Sequence, residues 1–183
     1  MRRDERRRGR AGGDPPLSRI LIGEGFAGSG PNAAHINTVL GSRDGPVGTA
    51  WATALATPRA GHASFVVVAR PNMPVKPPTL FVNKAEIREE THGLLHWGAA
   101  QAAVAQGVLD AVADGTIPQG EVDDLALIAA VWVDWAANDE ERIFANNLEA
   151  TGAALASAAE GRPRLEELLA IRGEPQNPFF RRA

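Results

Sequence analysis

The sequence contains no cysteine at all. It therefore has no disulfide, no thiol nucleophile and no zinc–thiolate site. Aromatic residues make up only 5% of the chain, while apolar residues, many of them alanine, make up 44%. A core built from such small side chains lets helices approach one another closely, and it allows close packing onto partner subunits.

Long apolar runs are also missing from the sequence. A membrane-spanning helix needs about 18 or more consecutive apolar residues, and no such stretch occurs. We therefore expect a protein without membrane contact, and we take the cytoplasm as its location. A chain of 183 residues has the length of one domain and can bury a sizeable core.

Positive charge is concentrated at the start of the chain. Residues 1–10 contain six arginines against Asp4 and Glu5, so this segment carries +4 and the rest of the chain −7. An arginine run without interleaved aromatic residues is typical of a solvated, disordered tail. Contact with nucleic acid is the alternative interpretation, and we do not expect it. We predict a tail over residues 1–16 and one domain over residues 17–183.

Strand-like and helical segments alternate along the chain. The patterns predict strands over residues 19–27, 34–40, 63–69, 79–87 and 125–135, and helices over residues 49–56, 89–114, 139–160 and 165–171. The first two strands flank a glycine-rich turn and should form a hairpin. Residues 63–69 are a continuous apolar run, which predicts a central strand buried on both faces. Strands interrupted by helices indicate a two-layer α/β domain.

Three glycines, Gly23, Gly25 and Gly28, match the GxGxxG pattern of dinucleotide-binding folds. That interpretation requires a helix directly after the last glycine, because the helix N-terminus binds the pyrophosphate. Here a turn and a second strand follow instead. We therefore assign the glycines to a hairpin turn and predict no nicotinamide cofactor.

Histidines are the first candidates for chemistry. His92 and His96 lie four residues apart in a predicted helix, a spacing that can place both on one metal ion. No glutamate stands between them in the metalloprotease arrangement, and no third ligand is evident, so we predict a pair on the helix surface. His35 follows the glycine-rich turn in an alternating strand. It is either a structural residue or an acid–base catalyst that titrates near working pH.

Lysine is scarce, since Lys76 and Lys84 are the only two in the chain and arginine supplies every other positive charge. In a sequence that otherwise uses arginine, a lysine can indicate a site that requires a compact ammonium group. Chance is the alternative explanation. Lys84 is the more interesting of the two because it falls inside a predicted strand.

Several motifs together resemble the formaldehyde-activating enzymes. They are Gly28-x-Gly30-x-Asn32-x-Ala34-His35-Ile36, the segment from Pro71 to Lys84, Ala100-Gln101, Ile117-Pro118 with Glu121, Asp123-Asp124-Leu125, Glu149-Ala150-Thr151 and Asn177-Pro178-Phe179. The segment that ends at Lys84 is long and specific. The arginine-rich tail lies outside the resemblance.

The resemblance implies a fold and a reaction. The fold is a small α/β sandwich, with a mixed sheet, helices packed on one face and a left-handed βαβ crossover, assembled as a homopentamer. The left-handed crossover departs from the usual right-handed rule. The reaction condenses formaldehyde with tetrahydromethanopterin to give the methylene pterin and water, with the pterin as co-substrate and no metal.

The resemblance also implies roles for individual residues. His35 falls on the family's proton donor, and Val66, Lys84 and Gln101 fall on positions that contact the pterin. Asn37 stands where the family has an aspartate, so the sequence predicts a less charged partner for His35 and a weaker proton donor.

A second departure is Glu86, which stands where the family has a pterin-binding threonine. Glu86 follows Lys84 by two residues on the same predicted strand, a spacing that allows the two to pair and to compete with the lysine's contact to a ligand. Asn37 and Glu86 leave open a divergent homologue acting on another aldehyde or amine cofactor. They also leave open a binding protein that keeps the pocket without turnover.

Overall fold

The computed structural model describes residues 19–178 and residue 180. Its strands are β1 (Leu21–Ala27), β2 (Ala34–Ser42), β3 (Ser64–Val66), β4 (Val68–Arg70), β5 (Met73–Pro74), β6 (Thr79–Asn83) and β7 (Leu125–Trp132). Its α-helices are α1 (Pro46–Ala56), α2 (Glu90–Leu95), α3 (Gln101–Ala113), α4 (Glu140–Ala159) and α5 (Leu165–Ala170). A π-helical turn, His96–Ala100, joins α2 to α3. The predicted tail over residues 1–16 lies outside the described residues.

Five strands form one mixed sheet in the order β1-β2-β7-β6-β3. β6 and β7 are parallel, and the other neighbours are antiparallel. The predicted hairpin of the first two strands is confirmed, with Phe26 opposite His35 and Glu24 opposite Asn37. The connection from β6 to its parallel neighbour β7 runs through α2 and α3, and its handedness stays a prediction.

The longer helices cover one face of the sheet. α4 lies along β1 and β2 and also packs against α3. Gly23 and Gly25 belong to β1 and permit this contact, since a Cβ atom on them would come within 1.9 Å of the carbonyl oxygen of Ala154 and within 2.0 Å of that of Ala150. The assignment of these two glycines to a turn is therefore wrong. Of the three glycines of the motif, Gly28 is the one in the turn, with a φ of +77° that favours glycine.

The opposite face of the sheet is covered only in part. α1 contacts β2 and β7 there, and a Cβ on Gly41 would lie 2.8 Å from the Val47 side chain. Successive strand residues point to opposite faces, so Gly41 and His35 share a face. The predicted two-layer α/β arrangement is confirmed, with α1 as an addition on the second face.

The centre of the sheet is β7, and this corrects one prediction. Its inward side chains, Leu125, Leu127, Ala129 and Val131, are fully buried in the core. Residues 63–69 do not form the central strand. They divide at Val67 into the edge strand β3 and the separate strand β4, which pairs with β5. Val67 is buried in the hydrophobic core, and its backbone bonds both Thr79 and Val75 where the chain changes strand partner. The apolar run therefore indicated burial but not the position of the strand in the sheet.

The remaining elements agree with prediction except at their ends. The long helix predicted over residues 89–114 is present as α2, the π-helical turn and α3. β7 ends three residues before its predicted end, where the Asp134 carboxylate accepts a hydrogen bond from the backbone of Ala136 in a turn. Within residues 19–178, no helix is both long and apolar enough to cross a membrane.

Candidate active site

His35 is the second residue of β2 and lies on the sheet face that is covered only in part. It sits on β2 between Phe26 of β1 and Trp132 of β7. The side chain is 36% exposed, and its ring centroid lies 6.3 Å from that of Phe26. The imidazole is therefore held by its neighbours but remains accessible to a small molecule.

Lys84 approaches His35 from the other side of β7. Its backbone nitrogen donates to the Val131 carbonyl at 2.8 Å, directly after β6 ends, so Lys84 follows the strand instead of lying inside it. Its Nζ lies 2.8 Å from Asn37 Oδ1 and 3.3 Å from His35 Nδ1. The fold thus brings together three residues that the sequence analysis selected separately.

Glu24 completes the cluster and was missed as a functional residue. Its Oε1 lies 3.0 Å from His35 Nε2. Glu24 faces Asn37 across the hairpin, so working out the strand pairing within the predicted hairpin could have identified it. The imidazole of His35 therefore has a cation near one ring nitrogen and a carboxylate on the other.

Burial and charge shift the pKa values of this cluster. Burial lowers the pKa of His35 below the ordinary 6.5, and the positive charge of Lys84 lowers it further, while Glu24 acts in the opposite direction. Burial lowers the pKa of Lys84 from 10.5 to about 8, against the opposing effect of Glu24. At neutral pH, the ammonium of Lys84 is thus the charged form next to a largely neutral imidazole.

Val66 lies on the edge strand β3, and Gln101 lies on the helix α3. The cross-strand partners Val66, Leu80, Ile128 and Val39 share one face with His35. Gln101 begins α3 after the π-helical turn, and its Oε1 accepts a hydrogen bond from the Val68 backbone at 2.7 Å. Gln101 is buried, so this bond ties the start of α3 to β4.

Glu86 does not pair with Lys84, although the spacing in the sequence allowed it. Its carboxylate accepts from Arg88 at 3.1 Å, and its backbone carbonyl accepts from Trp135 Nε1 at 2.8 Å. Arg88 in turn stacks over the Trp135 ring at 4.4 Å. The strand ends at Asn83, so the alternation that would have placed Glu86 beside Lys84 no longer holds.

His92 and His96 are buried, so the predicted surface pair is also wrong. Their rings meet edge to face at 4.5 Å, with His92 Nε2 3.0 Å from the Val133 carbonyl and His96 Nδ1 2.8 Å from the His92 carbonyl. The helix turns this face toward the end of β7, which a two-residue pattern does not indicate. Among the described residues, no group of three or more His, Asp or Glu side chains is arranged to hold a metal ion.

A cavity adjoins the exposed side of Phe26. It has a volume of about 340 Å³ and is lined by Phe26, Gly28, Ser29, Gly30 and residues 176–178. This volume lies within the usual range for small-ligand pockets. The turn between β1 and β2 therefore offers space for a ligand next to the ring that neighbours His35.

Comparison with known proteins identifies the family. The family described as "Formaldehyde-activating enzyme (Fae)" matches residues 22–180. The chain belongs to the formaldehyde-activating enzyme family. It is 45% identical over 163 residues to the 5,6,7,8-tetrahydromethanopterin hydro-lyase of Methanosarcina barkeri, an alignment that covers 89% of this chain and 92% of that protein.

Other members of the formaldehyde-activating enzyme family are longer. The chain is 41% identical over 150 residues to the bifunctional enzyme Fae/Hps of Methanococcoides burtonii, covering 82% of this chain and 38% of the relative. For the enzyme of the same name from Methanosphaera stadtmanae, the identity is 39% over 159 residues, covering 87% and 39%. The chain thus spans about two-fifths of these bifunctional relatives.

Proposed function

We propose that the protein is a hydro-lyase that condenses formaldehyde with tetrahydromethanopterin to 5,10-methylenetetrahydromethanopterin and water. The observation that carries this proposal is the position of His35, which is accessible on the open sheet face between Glu24 and Lys84. Family membership and the relative from Methanosarcina barkeri support the same reaction.

The chemistry explains why a histidine belongs at this position. A pterin amine adds to formaldehyde and forms a carbinolamine, whose hydroxyl leaves as water only when it is protonated. The iminium that remains is captured by the second pterin nitrogen, which then loses a proton. His35 protonates the hydroxyl and can later recover a proton, as general acid–base catalysis requires. Holding the two reactants together supplies further rate enhancement.

The pterin-contacting residues in this proposal are Asn37, Val66, Lys84, Glu86 and Gln101. Val66 offers apolar surface on the face that carries His35, and Lys84 offers a positive charge. The Oε1 of Gln101 is held by Val68, so its NH₂ group is the part that can donate to a ligand. Glu86 is exposed and bonded to Arg88, and a ligand at this position would meet the pair instead of a lone carboxylate.

The same proposal includes the setting of the reaction. Tetrahydromethanopterin is a co-substrate, and the steps written above use no metal ion. We propose a cytoplasmic homopentamer that binds neither nucleic acid nor membranes. The exposed apolar side chains Ile22, Met73 and Trp97 are candidates for burial between subunits.

An assay of the purified protein tests the proposed reaction. Formaldehyde and tetrahydromethanopterin are mixed with and without protein, and methylene-pterin formation is followed against the uncatalysed rate. A parallel reaction contains tetrahydrofolate in place of tetrahydromethanopterin. We expect acceleration with tetrahydromethanopterin. Binding of the pterin without acceleration would instead identify a binding protein.

Asn37 and Glu86 favour one alternative, a divergent enzyme for another aldehyde or amine cofactor. Acceleration with tetrahydrofolate alone would support it. The double variant Asn37→Asp/Glu86→Thr separates a weakened site from a redirected one. If it gains turnover with tetrahydromethanopterin, the native site is a weakened form of the family's site; if it gains none and loses the tetrahydrofolate reaction, the site is redirected.

A further inference from the structure

The contacts of Lys84 determine which nitrogen of His35 carries the proton. An ammonium group has N–H donors and no lone pair. Lys84 Nζ therefore donates to Asn37 Oδ1 at 2.8 Å, and it can only donate to His35 Nδ1 at 3.3 Å. Nδ1 must then present its lone pair, so the proton of the neutral ring is on Nε2. That nitrogen lies 3.0 Å from the Glu24 carboxylate, which accepts the Nε2 proton.

This tautomer limits what His35 can do alone. A neutral imidazole that gives up its Nε2 proton becomes an imidazolate, which is too basic to form as the hydroxyl departs. The transfer becomes feasible when Nδ1 receives a proton as Nε2 loses one. Among the described residues, Lys84 is the proton-bearing cation within hydrogen-bonding range of Nδ1.

We propose that Lys84 supplies, through the imidazole of His35, the proton that leaves with the hydroxyl of the carbinolamine. This proposal rests on the hydro-lyase function proposed above and adds a role for Lys84 beyond contact with the pterin. His35 touches the reacting hydroxyl, and Lys84 acts through it. Glu24 holds the ring in position until the hydroxyl takes over the Nε2 proton.

The proton and electron movements balance over one turnover. An N–H bond of Lys84 breaks as Nδ1–H forms, and Nε2–H breaks as the proton joins the hydroxyl. The C–O bond then breaks, its electron pair leaves with water, and the pterin nitrogen forms C=N with its lone pair. When the second pterin nitrogen closes the ring, its proton enters at Nε2, and the Nδ1 proton returns to the Lys84 amine.

The surroundings of Lys84 fit a group that gives and recovers a proton. Lys84 is half-buried, and burial lowers its pKa to about 8. The group is therefore mostly charged at neutral pH, yet it donates more readily than an exposed lysine. The charged groups that act on the pair are Glu24 on β1, which shifts the pKa of both residues, and Lys84 itself, which lowers that of His35.

The substitution Lys84→Arg tests the relay. Arginine keeps the positive charge, but its guanidinium does not release a proton at working pH. We expect kcat to fall by roughly 100-fold, the size of a lost acid–base contribution, with the KM for the pterin little changed. Lys76→Arg is the matched control, because Lys76 is the other lysine and pairs with Asp123 on the surface. It should keep the native kcat.

The pH dependence of kcat gives a readout that a purely structural role of Lys84 would not change. In the native protein, kcat should fall as the pH rises through about 8, where Lys84 loses its proton. In Lys84→Arg the remaining acid is the imidazolium of His35, so the fall should occur at lower pH. A native kcat in Lys84→Arg, or an unchanged pH profile, would overturn the relay.

The absence of cysteine allows a finer substitution. Lys84→Cys creates a unique thiol, and alkylation with 2-bromoethylamine gives a lysine analogue in which sulfur replaces one methylene. The sulfur lowers the pKa of the amine while length and charge are kept. The relay predicts restored turnover with the fall in kcat moved to lower pH. Restored turnover with kcat falling at the same pH as in the native protein would contradict the relay. If Lys84→Arg misfolds, this alkylated variant tests the relay in its place.

An NMR measurement on the resting protein separates this inference from the proposed function. With ¹⁵N-labelled histidine, the native protein should show His35 as the Nε2–H tautomer at neutral pH. Lys84→Met should weaken that preference. A native Nδ1–H tautomer would refute the relay even if the protein is a hydro-lyase. A native protein that does not accelerate the reaction would instead refute the proposed function.

Discussion

The carboxylate of Glu24 lies 3.0 Å from Nε2 of His35, although the two residues are on different strands. Asn37 replaces the aspartate that the family resemblance places two residues after the histidine. The carboxylate that favours a protonated His35 therefore comes from β1 in this protein. The replacement of aspartate by Asn37 predicted that His35 is a weaker proton donor. Glu24 partly offsets that loss because it raises the pKa of His35.

Glu24→Gln should lower the pKa of His35, because the carboxylate raises it by its charge and by its hydrogen bond. The Glu24 side chain is 60% exposed, so we expect kcat at neutral pH to fall only about two- to fivefold, in keeping with an exposed ion pair. Histidine NMR over a pH series measures the shift. Glu24→Asp, which keeps the charge on a shorter side chain, is the control, and a raised or unchanged His35 pKa in Glu24→Gln would contradict the assignment.

Asn37→Asp should raise the pKa of Lys84 above about 8. It would place a carboxylate where Asn37 Oδ1 now accepts from Lys84 Nζ at 2.8 Å, and a nearby negative charge favours the ammonium. The pKa of His35 should rise for the same reason. Carbon-detected NMR of the lysine side chain follows the change, with Lys76 as internal reference. An unmoved Lys84 pKa would mean that the two side chains separate in solution.

Gly25→Ala should destabilise the fold by about 3 kcal/mol, since a well-packed contact must open to admit the methyl group. The added Cβ would lie 2.0 Å from the Ala150 carbonyl oxygen. Gly152→Ala is the matched control. Gly152 lies on α4, the helix that also carries Ala150, but a Cβ there would enter open space, so this variant should stabilise the fold by about 0.5–1 kcal/mol. Urea denaturation compares the two variants. Equal stabilities would show that β1 and α4 are not packed this closely.

His96 should make the protein less stable in mild acid. Burial lowers its pKa from 6.5 to about 4 in the folded chain. Between these two pH values the unfolded chain binds a proton that the folded chain does not. The contribution of His96 therefore leaves the free energy of unfolding at its full value above pH 6.5 and lowers it as the pH falls toward 4. From pH 7.5 to pH 5 the loss attributable to this residue is about 2 kcal/mol.

His96→Leu isolates that contribution. The variant should lose less stability than the native protein between pH 7.5 and pH 5, measured by urea denaturation at both values. Any destabilisation common to both pH values reflects packing and does not affect the comparison. Equal losses in the two proteins would show that His96 is protonated in the folded state or exposed to solvent.

Local patterns in the sequence were enough for part of the site. The alternation around His35 and the glycine-rich turn predicted the hairpin, and this places His35 and Asn37 on one face. The same register places Glu24 opposite Asn37, so Glu24 was predictable in principle. Gly23 and Gly25 flank Glu24 in the sequence, and the glycine pattern indicated a turn there instead of a strand that carries a functional carboxylate.

Non-local features were not predictable in the same way. Lys84 meets His35 only because β6 pairs in parallel with β7, and that pairing depends on a crossover through two helices. Residues 63–69 look like a central strand because an apolar run reports burial, whereas the position in a sheet depends on backbone partners. Gly23 and Gly25 were misassigned for a related reason, since α4, the helix that requires them, lies more than one hundred residues farther along the chain.

The most direct test of the central claim compares native protein with His35→Ala in the formation of methylene-tetrahydromethanopterin from formaldehyde. Both are measured against the uncatalysed rate, and a pterin-binding measurement on each verifies that the ligand still enters. We predict that the native protein accelerates the reaction and that His35→Ala loses nearly all of the acceleration while it still binds the pterin. Full acceleration by His35→Ala would contradict the account, because positioning alone would then suffice.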